Sequence, residues 1–490
     1  MKILALNPPF LPKFSRESRS PAVAKSGTLY YPMWLAYAAG WCEKAGHEVR
    51  LMDAAAQCMS VEQTVAAAAG FGPALAVLDT STPSIYSDIE TGRALKAAVP
   101  QLFVVLVGVH VSALPVETLR AAEGIDAVAF GEYDATVAEL AAVLSKGGRG
   151  DAALRGVAGL AFRDSGGAVV KNAARPYLEN LDDMPYVSAV YKKHLDIGPY
   201  FYGHSRYPLI VLVTGRGCPF RCSYCVIPQT LMGHAYRKRS VASIVGEFKY
   251  ISEQFPQVKE IMIEDDTLTA DRARCRQFSE ALAAAGLNRV PWSANSRADV
   301  DYETLAAMKR AGCRLVCVGF ESGDQRVLDN IQKSLTLDKI RQFAKDARRA
   351  GIMVHGCFMV GNRGETTETL GKTLAFAKEL NPDTAQFFPI MAYPGTSDYR
   401  YFKEQGWIVT EDFRKWLTED GLHSSVITRP DMTYETLVAF CDRARREFYL
   451  RPRYLFAKAL QVLAHPGEAK RIFKAGRTIF RYLLRPSLGR

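Results

Sequence analysis

The most informative part of the 490-residue sequence is residues 215–225, which read Gly215-Arg216-Gly217-Cys218-Pro219-Phe220-Arg221-Cys222-Ser223-Tyr224-Cys225. The segment follows a short apolar run that has the length of a buried strand. Its cysteines are spaced CxxxCxxC, and a loop after a barrel strand can place three thiolates around one iron–sulfur cube and leave one iron open. The alternatives are a zinc site, which normally needs a fourth Cys or His nearby, or free buried thiols.

The surrounding sequence alternates between strand and helix patterns. Six apolar runs are each followed by a helical pattern, at residues 210–214, 260–263, 292–295, 315–320, 353–360 and 384–388. This alternation predicts a partial parallel (β/α)6 barrel over residues 208–398. From about residue 399 the pattern becomes mostly helical, which predicts a helical C-terminal domain over residues 399–490.

A second alternation occupies the N-terminal part of the chain, with apolar runs at residues 3–6, 49–52, 75–79, 102–108 and 127–130. Fully apolar strands separated by helices predict an α/β fold, a doubly wound (Rossmann-like) domain over residues 1–145. Its ligands would bind at the carboxyl edge of the strands. The Gly- and Pro-bearing residues 146–207 are predicted to form a linker with room for one hairpin.

Composition limits the classes of protein. Ten cysteines in 490 residues do not indicate a disulfide scaffold, and residues 1–6 enter a strand pattern without a signal peptide, so a cytoplasmic location is expected. No apolar stretch approaches the roughly 18–20 residues that span a bilayer. Residues 443–490 hold 13 Lys+Arg and 2 Asp+Glu, which equals the whole net charge of +11. An anionic partner is therefore expected at the C-terminal segment.

The cysteine motif and its neighbours resemble the radical S-adenosylmethionine (SAM) enzymes. Further matching segments are Glu264-Asp265-Asp266, Asn295-Ser296-Arg297, Gly319-Phe320-Glu321-Ser322-Gly323, Gly361-Asn362-Arg363-Gly364-Glu365 and Tyr393-Pro394-Gly395-Thr396. The resemblance implies that Cys218, Cys222 and Cys225 ligate a [4Fe-4S] cluster whose open iron chelates SAM. One departure is Asn362-Arg363, where the family usually has Leu-Pro.

The same resemblance implies further SAM contacts. Tyr224 would lie beside the adenine, and Arg297 and Glu321 would contact SAM by their positions. Glu264, Asp265 and Asp266 would bind the ribose hydroxyls or the SAM amine, although a carboxylate run at a strand end equally caps the next helix. An electron donor of low potential, such as flavodoxin or ferredoxin, is implied as well.

The N-terminal domain resembles the cobalamin-binding domain that is fused to many radical SAM enzymes. The matching segments are residues 31–36, 45–49, 108–115 and 130–132. The resemblance implies that the corrinoid nucleotide lies near Ser81, Thr82, Gly108 and Gly131. The DxHxxG motif is absent, which implies cobalamin without a histidine ligand, so His110 is expected to be a hydrogen-bonding residue of the loop. Val109 replaces the second glycine of the usual pair.

Together these resemblances imply a cobalamin-dependent radical SAM enzyme. The reaction they favour is C-methylation of an unactivated carbon through methylcobalamin and a 5'-deoxyadenosyl radical. Residues 214–218, 228–230, 233–234 and 255–260 resemble members associated with hopanoid and other lipid modification, which favours a lipid-like or natural-product substrate. Two alternatives stay open: radical carbon–carbon or carbon–oxygen bond formation that closes a ring without methylation, and a regulator that binds corrinoid or SAM without turnover.

The basic tail predicts its own kind of partner. In residues 468–485 apolar and basic side chains fall on different helical faces, and residues 451–456 begin a similar helix. Such a helix suits peripheral contact through residues 451–485 with an anionic membrane surface, on the inner face of the membrane. A helix packed on the protein with a solvated basic face is equally compatible. No nucleic-acid partner is expected, because no stacking platform or nucleic-acid module accompanies the charge.

Overall fold

The computed structural model describes residues 1–464 other than Lys25 and Ser425. Five parallel strands form the first sheet in the order β2-β1-β3-β4-β5: β1 (Lys2–Asn7), β2 (Glu48–Asp53), β3 (Leu75–Thr80), β4 (Phe103–Gly108) and β5 (Ala127–Ala129). The helices of this part are α1 (Met33–Lys44), α2 (Val61–Phe71), α3 (Ile85–Ala98), α4 (Val109–Ala113), α5 (Pro115–Ala121) and α6 (Asp134–Ser145). Every residue of β3 and β4 is buried, as expected of a sheet covered on both faces. The predicted doubly wound fold is confirmed.

Residues 146–207 extend the first sheet. They contain α7 (Asp151–Arg155), β6 (Leu160–Arg163), β7 (Val169–Lys171) and α8 (Val187–His194). The strands β6 and β7 form an antiparallel hairpin, and β6 pairs antiparallel with β5. The hairpin therefore covers the backbone groups at the open edge of β5. The proposed boundary between domain and linker at residue 145 stays a prediction.

The second sheet has six parallel strands in sequence order. The strand β8 (Leu209–Leu212) is followed by the short antiparallel pair β9 (Gly215–Arg216) and β10 (Arg237–Lys238), and then by β11 (Glu260–Ile263), β12 (Trp292–Ser296), β13 (Cys313–Gly319), β14 (Met353–Val360) and β15 (Thr384–Pro389). The connecting helices are α9 (Val241–Gln254), α10 (Arg272–Ala284), α11 (Tyr302–Arg310), α12 (Gln325–Asn330), α13 (Leu337–Ala350) and α14 (Thr367–Leu380). This order of strands is the predicted partial barrel.

The C-terminal part contains α15 (Ser397–Glu404), α16 (Tyr434–Tyr449) and α17 (Pro452–Ala464). Between α15 and α16 the chain is mostly irregular and is held by bridges such as Ile408 to Ile427, so it is less helical than the sequence pattern predicted. Gly406, Gly421 and Pro430 interrupt helices there. The basic helix predicted for residues 468–485 lies outside the described residues. Among those that are described, no helix is both long and apolar enough to cross a membrane.

One hydrophobic core joins the two sheets. It runs from α1 and the first sheet through α8 to the barrel strands and on to α16. A second, smaller core lies within the first domain. Because the main core is shared, the carboxyl edges of the two sheets are held in a fixed relation to each other.

Candidate functional site

The carboxyl ends of the two sheets are joined by buried ion pairs. Arg216 of β9 stands four residues after the end of β8 and donates to Glu132 and Asp134, both at 2.7 Å. These two carboxylates follow β5 of the first domain. Burial opposes ionisation of Glu132, but Arg216 and Arg237 outweigh it and lower the pKa of this carboxyl. The carboxyl edge of the first sheet therefore lies against the carboxyl edge of the barrel.

The loop that carries the three cysteines is fixed through its backbone. The amide of Ser223 donates to the carbonyl of Ile331 at 3.0 Å, and the amide side chain of Gln229 donates to the carbonyl of Cys225 at 2.8 Å. Burial raises the pKa of the Cys218 thiol to about 11 and also raises the pKa of Cys225. Cationic iron would supply the charge that makes these sulfurs thiolates, so the three residues fit a cluster.

The three thiols lie close enough that Cys222 acts on the pKa of Cys218, and both act on the pKa of Cys225. In the part of the chain that the structure describes, no three His, Cys, Asp or Glu side chains surround a point where one ion would sit. A tetrahedral zinc site needs such convergence. A cubane distributes three thiolates over three irons, so a cluster does not need the three sulfurs to meet at one point.

A hydrogen-bonded triad joins the half-buried Tyr224 of this loop to the buried side chains of Glu321 and Lys333. The phenol of Tyr224 and the ammonium of Lys333 both donate to Oε1 of Glu321, each at 2.8 Å, and the Lys333 ammonium lies 3.0 Å from the Tyr224 oxygen. Burial raises the pKa of Tyr224, whereas Glu321 outweighs burial and raises the pKa of Lys333. The nearby Cys222 side chain also raises the pKa of Lys333. Two residues predicted to contact SAM thus share a cation that the sequence reasoning missed.

The other residues predicted to contact SAM differ in how fully the protein already satisfies their polar atoms. Asp265 accepts from the amide and the hydroxyl of Thr214 at 2.6 and 2.7 Å, so it fixes the end of β8. Arg297 donates to the carbonyl of Lys333 at 2.9 Å and lies over the Phe220 ring at 3.5 Å. Glu264 keeps one buried oxygen, Oε2, without a hydrogen-bond partner. The free carboxylate oxygen makes Glu264 the best placed of the three to receive a ligand.

The departure at Asn362-Arg363 has a structural consequence. The Arg363 guanidinium lies 2.5 Å from the buried carboxylate of Asp398. The amide of Asp398 in turn donates to the carbonyl of Ser223 at 3.1 Å. Arg363 therefore ties the loop after β14 to the cysteine loop, a link that a Leu-Pro pair cannot make.

The residues predicted to bind cobalamin gather at the edge of the first sheet. Nδ1 of His110 lies 3.2 Å from the Thr82 hydroxyl, and burial lowers the pKa of His110 to about 3, which keeps the ring neutral. Ser81 is buried beside them. Gly131 has φ +74° and open space where a Cβ would stand. The loops fit a ligand that needs close backbone approach and hydroxyl donors, and their contact with cobalamin stays a prediction.

Gly108 and Val109, at the end of β4, differ in the space that their backbone and side chains have. Gly108 has φ +110°, and a Cβ there would stand 2.5 Å from the carbonyl oxygen of Thr80. Only glycine fits at that position. Val109 begins α4 and packs against the main core. The Val109 side chain therefore packs on the protein core.

A roof covers the space between the two edges, and sequence reasoning did not find it. It consists of residues 8–24 and 26–32, which follow β1, and of residues 405–424 and 426–433, which follow α15. The two segments meet where the amide of Val23 donates to the carbonyl of Gly421 at 2.8 Å. Arg19 of the first segment donates to Asp266 at 3.1 Å and lies close enough to Cys225 to act on the pKa of that thiol. Ser20 lies 3.1 Å from the Tyr393 hydroxyl. These partners are hundreds of residues apart, so no local signal marks them.

A cavity lies beneath the roof, between the cysteine loop and the N-terminus of α1. The carboxylate of Glu17 accepts hydrogen bonds from the backbone amides of Trp34 and Leu35 at 2.7 and 3.0 Å and so caps this helix. The lining residues include Glu17, Arg19, Tyr30, Trp34, Tyr202 and Glu264. The cavity thus combines aromatic walls with a few charged groups.

Comparison with known proteins agrees with this geometry. Residues 212–377 match the radical SAM superfamily, and residues 19–141 match the B12 binding domain. An uncharacterized methyltransferase of Pyrococcus horikoshii is 32% identical over 457 residues, which cover 93% of this chain and 94% of the relative. The anaerobic magnesium-protoporphyrin IX monomethyl ester cyclase of Rubrivivax gelatinosus is 28% identical and covers 79% of this chain and 68% of its own length.

A solved structure shows the same fold. It is that of the radical SAM methyltransferase TsrM from Kitasatospora setae with cobalamin and a [4Fe-4S] cluster bound, with TM-score 0.71, 17% identity, and coverage of 92% of this chain and 89% of that one. The two family matches, the full-length relative and the shared fold lead to one assignment. The chain belongs to the cobalamin-dependent radical SAM enzymes, whose cofactors are a [4Fe-4S] cluster, SAM and cobalamin.

Proposed function

We propose that this protein methylates an unactivated carbon of a lipid-like or natural-product substrate. The observation that carries the proposal is the meeting of the two ligand-binding edges, joined by Arg216 to Glu132 and Asp134 and by Arg19 to Asp266. A methyl carrier and a radical source can serve one substrate only if both open onto one space. The cavity beneath the roof, whose lining includes Glu264 and Asp266 of the barrel, would form part of that space.

When bound, SAM on the cluster would supply the 5'-deoxyadenosyl radical and cobalamin would carry the methyl group. The chain's own residues would hold and enclose these groups. Cys218, Cys222 and Cys225 would hold the cluster, and Glu264 and the triad of Tyr224, Glu321 and Lys333 would present donors and acceptors to SAM. A low-potential donor such as flavodoxin or ferredoxin would supply the electron.

The walls of the cavity support a largely apolar substrate. Val211, Ile227 and Met33 line it together with Trp34 and the tyrosines. Burying apolar substrate surface against such walls contributes roughly 25 cal/mol per Å². A lipid-like or aromatic molecule would gain more from this lining than a small polar one.

The proposal is tested on anaerobically purified protein with a reconstituted cluster, supplied with hydroxocobalamin and desalted. We expect near-stoichiometric cobalt and iron for one cluster. With reduced flavodoxin added as the electron donor, we expect conversion of SAM with a deuterated methyl group into S-adenosylhomocysteine and 5'-deoxyadenosine. Cys222→Ala is the matched control and should retain cobalt but form no 5'-deoxyadenosine. Iron without cobalt would overturn methyl transfer.

A second candidate is radical ring formation without methylation. It is favoured by the similarity to the Rubrivivax gelatinosus protein, which is named a cyclase. Both reactions form 5'-deoxyadenosine, but only methylation forms S-adenosylhomocysteine and transfers label. The same assay therefore separates them, and a protein that yields neither product would be a binder without turnover.

A further inference from the structure

Helix α17 presents apolar side chains to solvent. Leu455 is 51% exposed, Phe456 67%, Leu460 50% and Leu463 77%. The last three are spaced four and three residues apart, and Leu455 lies eight residues before Leu463, so the four form one stripe along the helix. A contiguous apolar stripe on a surface marks an interaction site.

The opposite face of α17 is fixed to the barrel. The hydroxyl of Tyr454 donates to the carbonyl of Asp383 at 2.8 Å, and the Lys458 ammonium lies 3.4 Å from the carboxylate of the same residue. The Tyr454 ring also packs edge-on against Tyr449 at 5.2 Å. These contacts orient the helix so that the stripe faces outward.

Charge identifies the partner. Arg453 is exposed on the same helix, and residues 465–490 add seven Lys+Arg against one Glu. Residues 443–490 together hold 13 Lys+Arg and 2 Asp+Glu, whereas residues 1–442 are neutral with 49 charges of each sign. An apolar stripe next to concentrated positive charge matches a bilayer surface, where acyl chains lie beneath anionic headgroups.

We propose that α17 docks this protein on an anionic phospholipid surface, with Leu455, Phe456, Leu460 and Leu463 inserted among the acyl chains and the basic residues against the headgroups. The inference stands on the exposed helix and goes beyond the proposed reaction. It holds whether the enzyme methylates a lipid or another substrate. Its test measures binding and needs no turnover.

The test is sedimentation of the full-length holoenzyme with vesicles of phosphatidylcholine, with and without phosphatidylglycerol, at low and high salt. We expect binding only to the anionic vesicles, weakened by salt. The triple variant Phe456→Ser/Leu460→Ser/Leu463→Ser should bind at least about tenfold more weakly, because the inserted apolar area is lost. Val409→Ser, a 55% exposed residue on another surface, is the matched control and should bind normally.

Folding of each variant is checked by iron content and melting temperature, so weak binding cannot come from misfolding. The proposal is overturned if the wild-type protein does not sediment with either kind of vesicle. Sedimentation equilibrium on the same samples tests whether a second copy of the chain binds the stripe instead. A dimer that the triple variant abolishes would show an interface between copies and would overturn the proposal. Binding to RNA in place of vesicles, lost at high salt and unaffected by the triple variant, would also overturn it.

Discussion

The ammonium of Lys333 and the carboxylate of Glu321 form a buried ion pair with 2.8 Å between Nζ and Oε1. Three non-glycine residues around the pair have left-handed backbone: Glu321 at φ +62°, Gln332 at +55° and Ser334 at +54°. Such conformations cost about 1–3 kcal/mol each and persist where the surroundings enforce them, often at functional sites. The backbone strain therefore supports the prediction that the pair belongs to the SAM site.

We predict that Lys333→Met weakens SAM binding at least about tenfold and lowers the melting temperature. Removing one partner of a buried pair leaves the other charge uncompensated, at a cost of about 3–5 kcal/mol. The measurements are equilibrium dialysis with SAM and thermal unfolding of the cluster-loaded protein. Lys339→Met, on the exposed part of α13, is the control and should change neither. Unchanged SAM affinity in Lys333→Met would remove the residue from the site.

Arg216→Met should loosen the contact between the two domains. The substitution leaves Asp134 and Glu132 buried without their shared guanidinium, although Glu132 keeps Arg237 at 2.7 Å. We expect a destabilisation of about 3–5 kcal/mol and loss of cobalamin on desalting. Unfolding curves and cobalt content provide the measurements. Arg221→Met, an exposed arginine of the same loop, should behave as wild type, and an equal effect there would point to loop charge instead.

Gly108→Ala should abolish cobalamin retention while the cluster stays. The added Cβ would stand 2.5 Å from the Thr80 carbonyl oxygen at φ +110°, so β4 and its loop must shift. The matched control is Gly124→Ala, which also has positive φ (+84°) but meets only a side-chain atom of Arg93 at 3.8 Å. Cobalt and iron are measured in both. Equal cobalt in the two variants would show that the edge at Gly108 does not hold the corrinoid.

The strands and the clustering of the cysteines could be predicted from the sequence, because apolar runs and motif spacing are local signals. The five strands of the first sheet and the six of the barrel lie where their apolar patterns predict. Arg19 and Lys333 were not found, because their roles come from contacts with distant segments. Arg19 meets Asp266 across 247 positions. The hairpin at β6 and β7 was expected, but its pairing with β5 depends on an open sheet edge that only the fold creates.

Glu365 gives the fold a measurable pH dependence. Its Oε2 accepts the amides of Gly361 at 2.5 Å and Asn362 at 3.1 Å, and its Oε1 is buried without a partner. Burial raises the pKa of this carboxyl from 4.5 to about 7, against the lowering effect of the two amides and Arg429. Between these two values the folded protein keeps a proton that the unfolded chain has released, so stability falls as pH rises through this range.

Glu365→Gln removes the titration while keeping the shape of the side chain. We therefore expect the stability lost between about pH 5 and about pH 8 to be smaller in the variant than in wild type, by up to about 3 kcal/mol. Denaturant unfolding at both pH values measures the difference, and other buried acids contribute equally to both proteins. The control is Glu368→Gln, since Glu368 is exposed, has a lowered pKa and is ionised in both states throughout the range. Parallel pH profiles of wild type and Glu365→Gln would mean that Glu365 is ionised in the folded protein, with its Oε1 reached by water or a cation.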